Sequence, residues 1–242
     1  MKKKIFIVAN WKMNLSIKDA TKFITIINRA KYDNKITKVI ICPQFLLIPK
    51  LSHLLQNNRV LLGAQDSHYN LSGAFTGDTS SDLLKYFNCE YVILGHSERR
   101  QYHNETYNIV KQKILTAVSV KIKPIICVGE TLDERKKKNY KKVIEDQLEK
   151  CIPINLKEVI IAYEPIWSIG TGVTPKYSEI EEVSNIIYEF LKKKKLRPKI
   201  LYGGSVNKKN FKNIISIKNI CGGLIGGASL NPHELIEMIE KV

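Results

Sequence analysis

Three side chains capable of proton chemistry each stand directly after a short apolar run. Lys12 lies in Asn10-Trp11-Lys12-Met13-Asn14, after Ile5–Ala9. His96 lies in Gly95-His96-Ser97-Glu98-Arg99-Arg100, at the end of Tyr91–Gly95. Glu164 follows Val159–Tyr163 and precedes Pro165. Taken singly, a Lys at the end of an apolar run is often surface charge, and a lone His in a charged loop is often structural. Glu164 is more pointed. A carboxylate, then Pro165, then Ile169-Gly170-Thr171-Gly172, has the form of a base beneath a closing loop. Two further segments, Tyr202-Gly203-Gly204-Ser205-Val206 and Gly226-Gly227-Ala228-Ser229-Leu230, carry glycine pairs. Glycine lets backbone N–H groups come close to an anion, although each pair alone also reads as a plain turn.

The elements that must position these residues are legible as an alternation. Apolar runs fall at Ile5–Ala9, Val39–Cys42, Val60–Ala64, Tyr91–Gly95, Ile125–Gly129, Val159–Tyr163, Ile200–Gly203 and Ile220–Ile225. They are rich in Ile and Val and nearly continuous in hydrophobicity, as parallel strands buried on both faces are. Helical period separates them. Ile17, Ala20, Ile24 and Ile27 share a face, as do Val110, Ile114, Ala117 and Val118, and Ile180, Val183, Ile187 and Phe190. Thr131 with Glu134, and Ser178 with Glu181, read as capping boxes, and Asn231-Pro232-His233-Glu234 reads as a helix start. Strand–helix repetition over 242 residues, with no linker or low-complexity stretch, predicts an α/β fold in one domain, residues 1–242. A (β/α)8 barrel fits best, and a doubly wound open sheet is the alternative. In a barrel the chemistry belongs at the C-terminal ends of the strands. All five polar segments fall there.

Composition narrows the class. The chain has 39 Lys+Arg against 23 Asp+Glu, a formal net charge of +16. The lysines are spread along the sequence, with runs at Lys136–Lys138, Lys141-Lys142 and Lys192–Lys195. These read as solvated helix faces, and no nucleic-acid partner is expected, although the positive field favours an anionic substrate. Five cysteines, odd in number and without CxxC spacing, argue against a disulfide framework or zinc site and for a reducing, cytoplasmic compartment. The apolar run after Lys2-Lys3-Lys4 is too short for a signal peptide, and no run reaches the ~20 apolar residues of a membrane span.

Together the five segments resemble the signature segments of the triosephosphate isomerase family, in order from residue 5 to the C-terminus. The resemblance implies a TIM barrel that interconverts dihydroxyacetone phosphate and D-glyceraldehyde 3-phosphate through an enediolate, in glycolysis and gluconeogenesis. It implies Glu164 as the base and His96 as the electrophile at the carbonyl. Lys12 would supply fixed positive charge. Asn10 would hydrogen-bond the substrate and help to place His96, and Glu98 would pair with Lys12 in the resting site. Gly170, Ser205, Gly226 and Gly227 would hold the phosphate through backbone N–H groups, with residues 165–174 as the lid. No metal or organic cofactor is called for. The segment from Gln65 to Asp78 resembles the family's dimer loop, with Thr76 inserted beside the partner's site in a homodimer. Four positions depart from the family pattern. Asp78 stands where Glu is usual, and its reach toward the expected partner Arg99 is shorter by one methylene. Val173 replaces a Lys common at the lid's end, Cys221 replaces an Asp, and Gly223 is smaller than the usual occupant.

Overall fold

A computed structural model of the chain describes residues 3–55, 59–154, 156, 158–169 and 175–242. Eight parallel strands close into a barrel in sequence order. They are β1 (Ile5–Asn10), β2 (Thr37–Cys42), β3 (Leu61–Ala64), β4 (Cys89–Leu94), β5 (Lys123–Val128), β6 (Glu158–Tyr163), β7 (Arg197–Tyr202) and β8 (Ile220–Ile225). The ring is sealed by β1 against β8, with Phe6 opposite Gly222 and Ala9 opposite Ile225. The closed ring decides against the open sheet.

Strand parity divides the core in two. Phe6 and Val8, Ile40 and Cys42, Ile125 and Cys127, and Ile160 and Ala162 join Tyr91, Ile93, Leu201 and Leu224 in one cluster that fills the bore. Their neighbours Ile5, Ile7, Ala9, Val39, Ile41, Ile126 and Ile161 belong to the cluster that faces the helices. Both faces of each strand are therefore buried, which accounts for the unbroken apolar runs. Five strands begin earlier than those runs, on Thr37, Cys89 (followed by Glu90), Lys123, Glu158 and Arg197. The apolar criterion missed these N-terminal ends because they carry polar residues to an open mouth. Conversely Gly95, Gly129 and Gly203 lie just beyond their strands.

The outer layer comprises α1 (Ile17–Ile27), α2 (Ile48–Leu54), α3 (Ser81–Tyr86), α4 (Ser97–Tyr102), α5 (Tyr107–Ser119), α6 (Leu132–Lys136), α7 (Tyr140–Cys151), α8 (Tyr177–Lys193), α9 (Phe211–Ser216) and α10 (Pro232–Ile239). The predicted faces are buried in α1, α5 and α8 except at their margins, where Ile17 and Val118 are exposed and Phe190 is half-buried. Thr131 and Glu134 form the expected capping box on α6, and Asn231 accepts N–H bonds from His233 and Glu234 at the start of α10. The box expected at Ser178 and Glu181 is not the one that forms. Lys176 is extended, α8 starts at Tyr177, and the Glu179 carboxylate takes the Lys176 N–H at 2.8 Å. Ser178 is already inside the first turn. All five cysteines are free thiols, and no helix among the described residues is long and apolar enough to cross a membrane.

Candidate active site

At the C-terminal mouth, β1 ends in a backbone that few side chains adopt. Lys12 has φ +50°, a left-handed conformation that costs a non-glycine residue on the order of 1 kcal/mol. Two groups fix it. Asn10 Oδ1 accepts the Lys12 N–H at 3.1 Å, and Gln65 Nε2 donates to the Lys12 carbonyl at 2.8 Å and to the Cys42 carbonyl at 2.9 Å. Gln65 thus ties the ends of β1 and β2 together. The Lys12 ammonium then reaches across the mouth to Glu98 Oε1 at 2.5 Å.

His96 is the residue before α4. Its Nδ1 accepts the Glu98 N–H at 3.2 Å. A ring nitrogen that accepts from a backbone N–H carries no proton, so the hydrogen-bond pattern assigns the imidazole proton to Nε2. Nε2 lies 3.3 Å from Glu164 Oε1.

Glu164 is buried, 2% exposed, and a buried carboxylate must be hydrogen-bonded to be tolerated. Its Oε2 accepts the Ser97 N–H at 3.2 Å, and its Oε1 accepts the Cys127 thiol at 3.2 Å. Burial, and next the Glu164 charge, push the Cys127 thiol well above its ordinary value, so it remains a donor. The backbone is as constrained as the side chain. Glu164 N–H bonds the Val128 carbonyl at 2.8 Å, and the Gly203 N–H bonds the Tyr163 carbonyl at 2.7 Å. A Cβ on Gly129 would fall 1.7 Å from the Glu164 carbonyl oxygen, and one on Gly203 would fall 2.8 Å from Glu164 Cγ. Only glycine lets the chain just after β5 and β7 come this close to Glu164.

Behind Glu164 a second acid closes the next layer. Glu130 is fully buried, and its Oε1 accepts the Tyr163 hydroxyl at 3.0 Å and the Trp167 indole N–H at 3.2 Å. Burial raises its carboxyl above the usual range. Trp167 sits in the 3-10 turn Ile166–Ser168, which leads toward Ile169. On the next loop, Ser205 Oγ donates to the Ser168 carbonyl at 2.6 Å.

Asn10, Lys12, His96, Glu164, Ser205, Gly226 and Gly227 line one cleft of about 370 Å³. Pockets for small ligands fall in the range of roughly 300–1,000 Å³. Glu98 joins them through Lys12. A Cβ on Gly226 would meet only Lys12 Cε, at 3.6 Å, and one on Gly227 would meet nothing within 4 Å, so the cleft is open here. Gly170 and Val173, with the rest of residues 170–174, lie outside the described residues. Among the described residues no group of three His, Cys, Asp or Glu side chains is placed to hold a metal ion. The sequence reading missed three participants. Gln65 stood in a loop read for another purpose, Cys127 read as core, and Glu130 had no motif.

The loop from Gln65 to Asp78 is exposed at its tip, including Thr76. Phe75 packs on His68 with ring centroids 4.1 Å apart. Asp78 does not pair with Arg99 within the chain; its carboxylate lies 3.7 Å from His68 Nε2. Arg99 Nε is held by Asp66 at 2.8 Å and Glu105 at 2.5 Å, and Lys113 bridges the same two acids at 2.8 and 2.5 Å. Burial raises the Asp66 carboxyl. Burial also pushes Glu105 upward, but the hydrogen bonds and charges of Lys113 and Arg99 outweigh it and hold Glu105 low. Cys221 is half-buried on β8, its thiol 3.8 Å from the Asn219 carbonyl. At Gly223 a Cβ would press on Ile225 at 3.3 Å, so the small residue suits the packing.

The protein-family model described as Triosephosphate isomerase matches residues 5–242. Curated relatives named triosephosphate isomerase include one from Wolbachia sp. subsp. Brugia malayi, 42% identical and covering 97% of both chains. Another, from Chloroherpeton thalassium, is 42% identical over 100% of this chain and 99% of its own. One from Psychromonas ingrahamii is 38% identical over 97% of both.

Proposed function

The chain belongs to the triosephosphate isomerase family, and from that membership we propose that it interconverts dihydroxyacetone phosphate and D-glyceraldehyde 3-phosphate with Glu164 as base and His96 as electrophile. The observation that carries this reading is the 3.3 Å approach of His96 Nε2 to Glu164 Oε1 inside the cleft, with Lys12 at its rim. Removing a proton from carbon beside a carbonyl needs a base at the carbon and a donor at the oxygen. Glu164 takes the proton from one carbon, and the electron pair moves into the C–C bond as the carbonyl becomes an enediolate. The His96 Nε2–H donates to the oxygen where charge develops. A proton also passes from one oxygen to the other by way of His96 Nε2, so that the former hydroxyl oxygen becomes the carbonyl and the former carbonyl oxygen the hydroxyl. Glu164 then returns its proton to the adjacent carbon, and nothing is gained or lost. Lys12 holds positive charge beside the enediolate, its position set by Asn10 and Glu98. The N–H groups of Ser205, Gly226 and Gly227, with Gly170, hold the phosphate, and residues 165–174 close over it.

A coupled assay of isomerisation, with Glu164→Asp beside wild type, tests the assignment. Drawing the carboxylate back by about 1 Å should cost on the order of 100-fold in rate. An inactive wild-type protein overturns the activity, and an Asp variant as fast as wild type removes Glu164 from its role.

The working form is a homodimer through the loop around Thr76. Exposed apolar side chains follow β1, β2 and β4 at the same end of the barrel, among them Met13 at 87%, Leu46 at 89% and Tyr102 at 69%. Apolar exposure of this extent is what an interface covers. Sedimentation at micromolar concentration should give twice the chain mass, and a monomer there counts against the dimer. Five free thiols favour the reducing cytoplasm as its compartment.

A further inference from the structure

A second large cavity lies at the other end of the barrel. It measures about 510 Å³, and five lysines line it: Lys4, Lys38, Lys121, Lys123 and Lys199. Four of them are there by strand parity. Phe6, Ile40, Ile125 and Leu201 point into the bore, and one step of two residues toward each strand's N-terminus reaches Lys4, Lys38, Lys123 and Lys199. The same step from Ile160 reaches Glu158. The lowest layer of the bore is thus a ring of four ammonium groups and one carboxylate.

Counter-charge within the protein is sparse. Lys199 bonds Glu158 at 2.9 Å, and Lys123 lies 3.5 Å from Glu90. Among the described residues, Lys4, Lys38 and Lys121 have no carboxylate within 4 Å. Like charges gathered in one concave mouth raise each other's energy and focus a positive potential there. The mouth also fixes two of its ammonium groups. Lys123 Nζ sits 5.1 Å from the centre of the Tyr91 ring, and Lys199 Nζ sits 5.7 Å from that of Phe6. Cation–π contact of this kind holds a Lys without neutralising it. Ile122, Pro124, Leu156 and Ile160 add apolar wall on the β5–β6 side.

We propose that this N-terminal mouth binds a small organic polyphosphate, the phosphates on the lysine ring and an apolar body against the β5–β6 wall. Three unpartnered ammonium groups exceed what one monoanion neutralises, which favours a polyanion. At about 510 Å³ the cavity is large enough for a small ligand with an organic body, and its ring shape offers no continuous groove for a polymer. The site lies at the end of the bore opposite Glu164, so its occupant does not enter the isomerase cleft.

The test is calorimetric titration of the full chain, without divalent metal, using adenosine triphosphate and inorganic tripolyphosphate as probes. Isomerase rates are measured at the same concentrations. Wild type should bind one adenosine triphosphate per chain, more tightly than tripolyphosphate. The Lys4→Gln/Lys38→Gln double variant should bind it at least tenfold more weakly while keeping wild-type isomerase kcat and KM, which shows that the variant is folded. Two lost phosphate contacts account for a change of that size. Equal affinity in wild type and double variant overturns the site. Binding whose constant matches competitive inhibition of the isomerase, and is unchanged in the double variant, assigns the probe to the cleft and also overturns it. Tripolyphosphate bound as tightly as adenosine triphosphate overturns the apolar subsite.

Discussion

At the C-terminal mouth of the barrel, Lys12 lies against Glu98, His96 against Glu164, and Glu164 against the Ser97 N–H and the Cys127 thiol. At the N-terminal mouth, Lys4, Lys38 and Lys121 line one cavity, and among the described residues none of them has a carboxylate within 4 Å. The same eight strands build both ends. The difference lies in what fixes each charge. Above, hydrogen bonds from backbone and side chains, with the Glu98 carboxylate on Lys12, hold each group at one position, and a strained residue is tolerated to aim it. Below, ring faces and two carboxylates, Glu158 and Glu90, hold only two of the ammonium groups. A site for chemistry needs charges fixed to within tenths of an ångström, whereas a site for an anion needs only that they converge.

That contrast can be broken at several points. The largest effect is expected beneath the C-terminal mouth, where Lys113→Met would leave Asp66 and Glu105 buried with Arg99 alone. Loss of one partner from a buried charge cluster costs about 3–5 kcal/mol, so denaturant unfolding should show a large drop in stability. A drop below about 1 kcal/mol would mean that the upper charges are no more firmly held than the lower ones. Next comes Gln65→Ala, which frees the Lys12 carbonyl and the left-handed backbone it clamps. Displacing Lys12 by a few tenths of an ångström should lower kcat about tenfold with little change in melting temperature. Unchanged kcat would show that Asn10 alone is enough to fix Lys12.

The smallest effect belongs to Glu158. The hydrogen bond and charge of Lys199 hold its carboxyl below the ordinary 4.5, against a small opposing contribution from burial. A depressed carboxylate stabilises the fold above its unfolded pKa, and that stabilisation fades as pH falls through the folded value. Wild type should therefore exceed Glu158→Gln by about 0.5 kcal/mol near neutral pH, less at high salt, with the two curves meeting in acid. A gap that widens in acid would contradict the assignment.

The upper mouth was legible in the sequence because its chemistry sits in contiguous segments. Asn10-Trp11-Lys12 and Glu164-Pro165 each carry their own signal, and the barrel places them side by side. Gln65, Cys127 and Glu130 were not legible, since their partners are other strands' ends. Gln65 matters only because Lys12, 53 positions away, has an unusual backbone. The lower mouth was illegible for a different reason. Strands were read from apolar runs, and those runs stop short of the polar residues that begin β2, β5, β6 and β7. The lysines were read as solvated helix faces. That holds for Lys136 on α6 and Lys141-Lys142 on α7, but Lys4, Lys38, Lys123 and Lys199 meet only once the ring closes. The capping box at Ser178 failed because spacing was taken without the extended backbone of Lys176.

Strand parity has one more consequence, and it concerns which changes in chain length this protein tolerates. Phe6 and Val8 line the bore while Ile5, Ile7 and Ala9 face the helices. Deleting a single codon within β1 would exchange the two sets for every residue on one side of the gap. Lys4 would turn toward the helices or Asn10 would turn away from the cleft, depending on which end kept its register. The loops at the N-terminal end carry no such rule and can lengthen, whereas those at the C-terminal end are held by the cleft they line. Insertions and deletions in descendants of this chain should therefore collect between the elements, while each strand keeps its residue count.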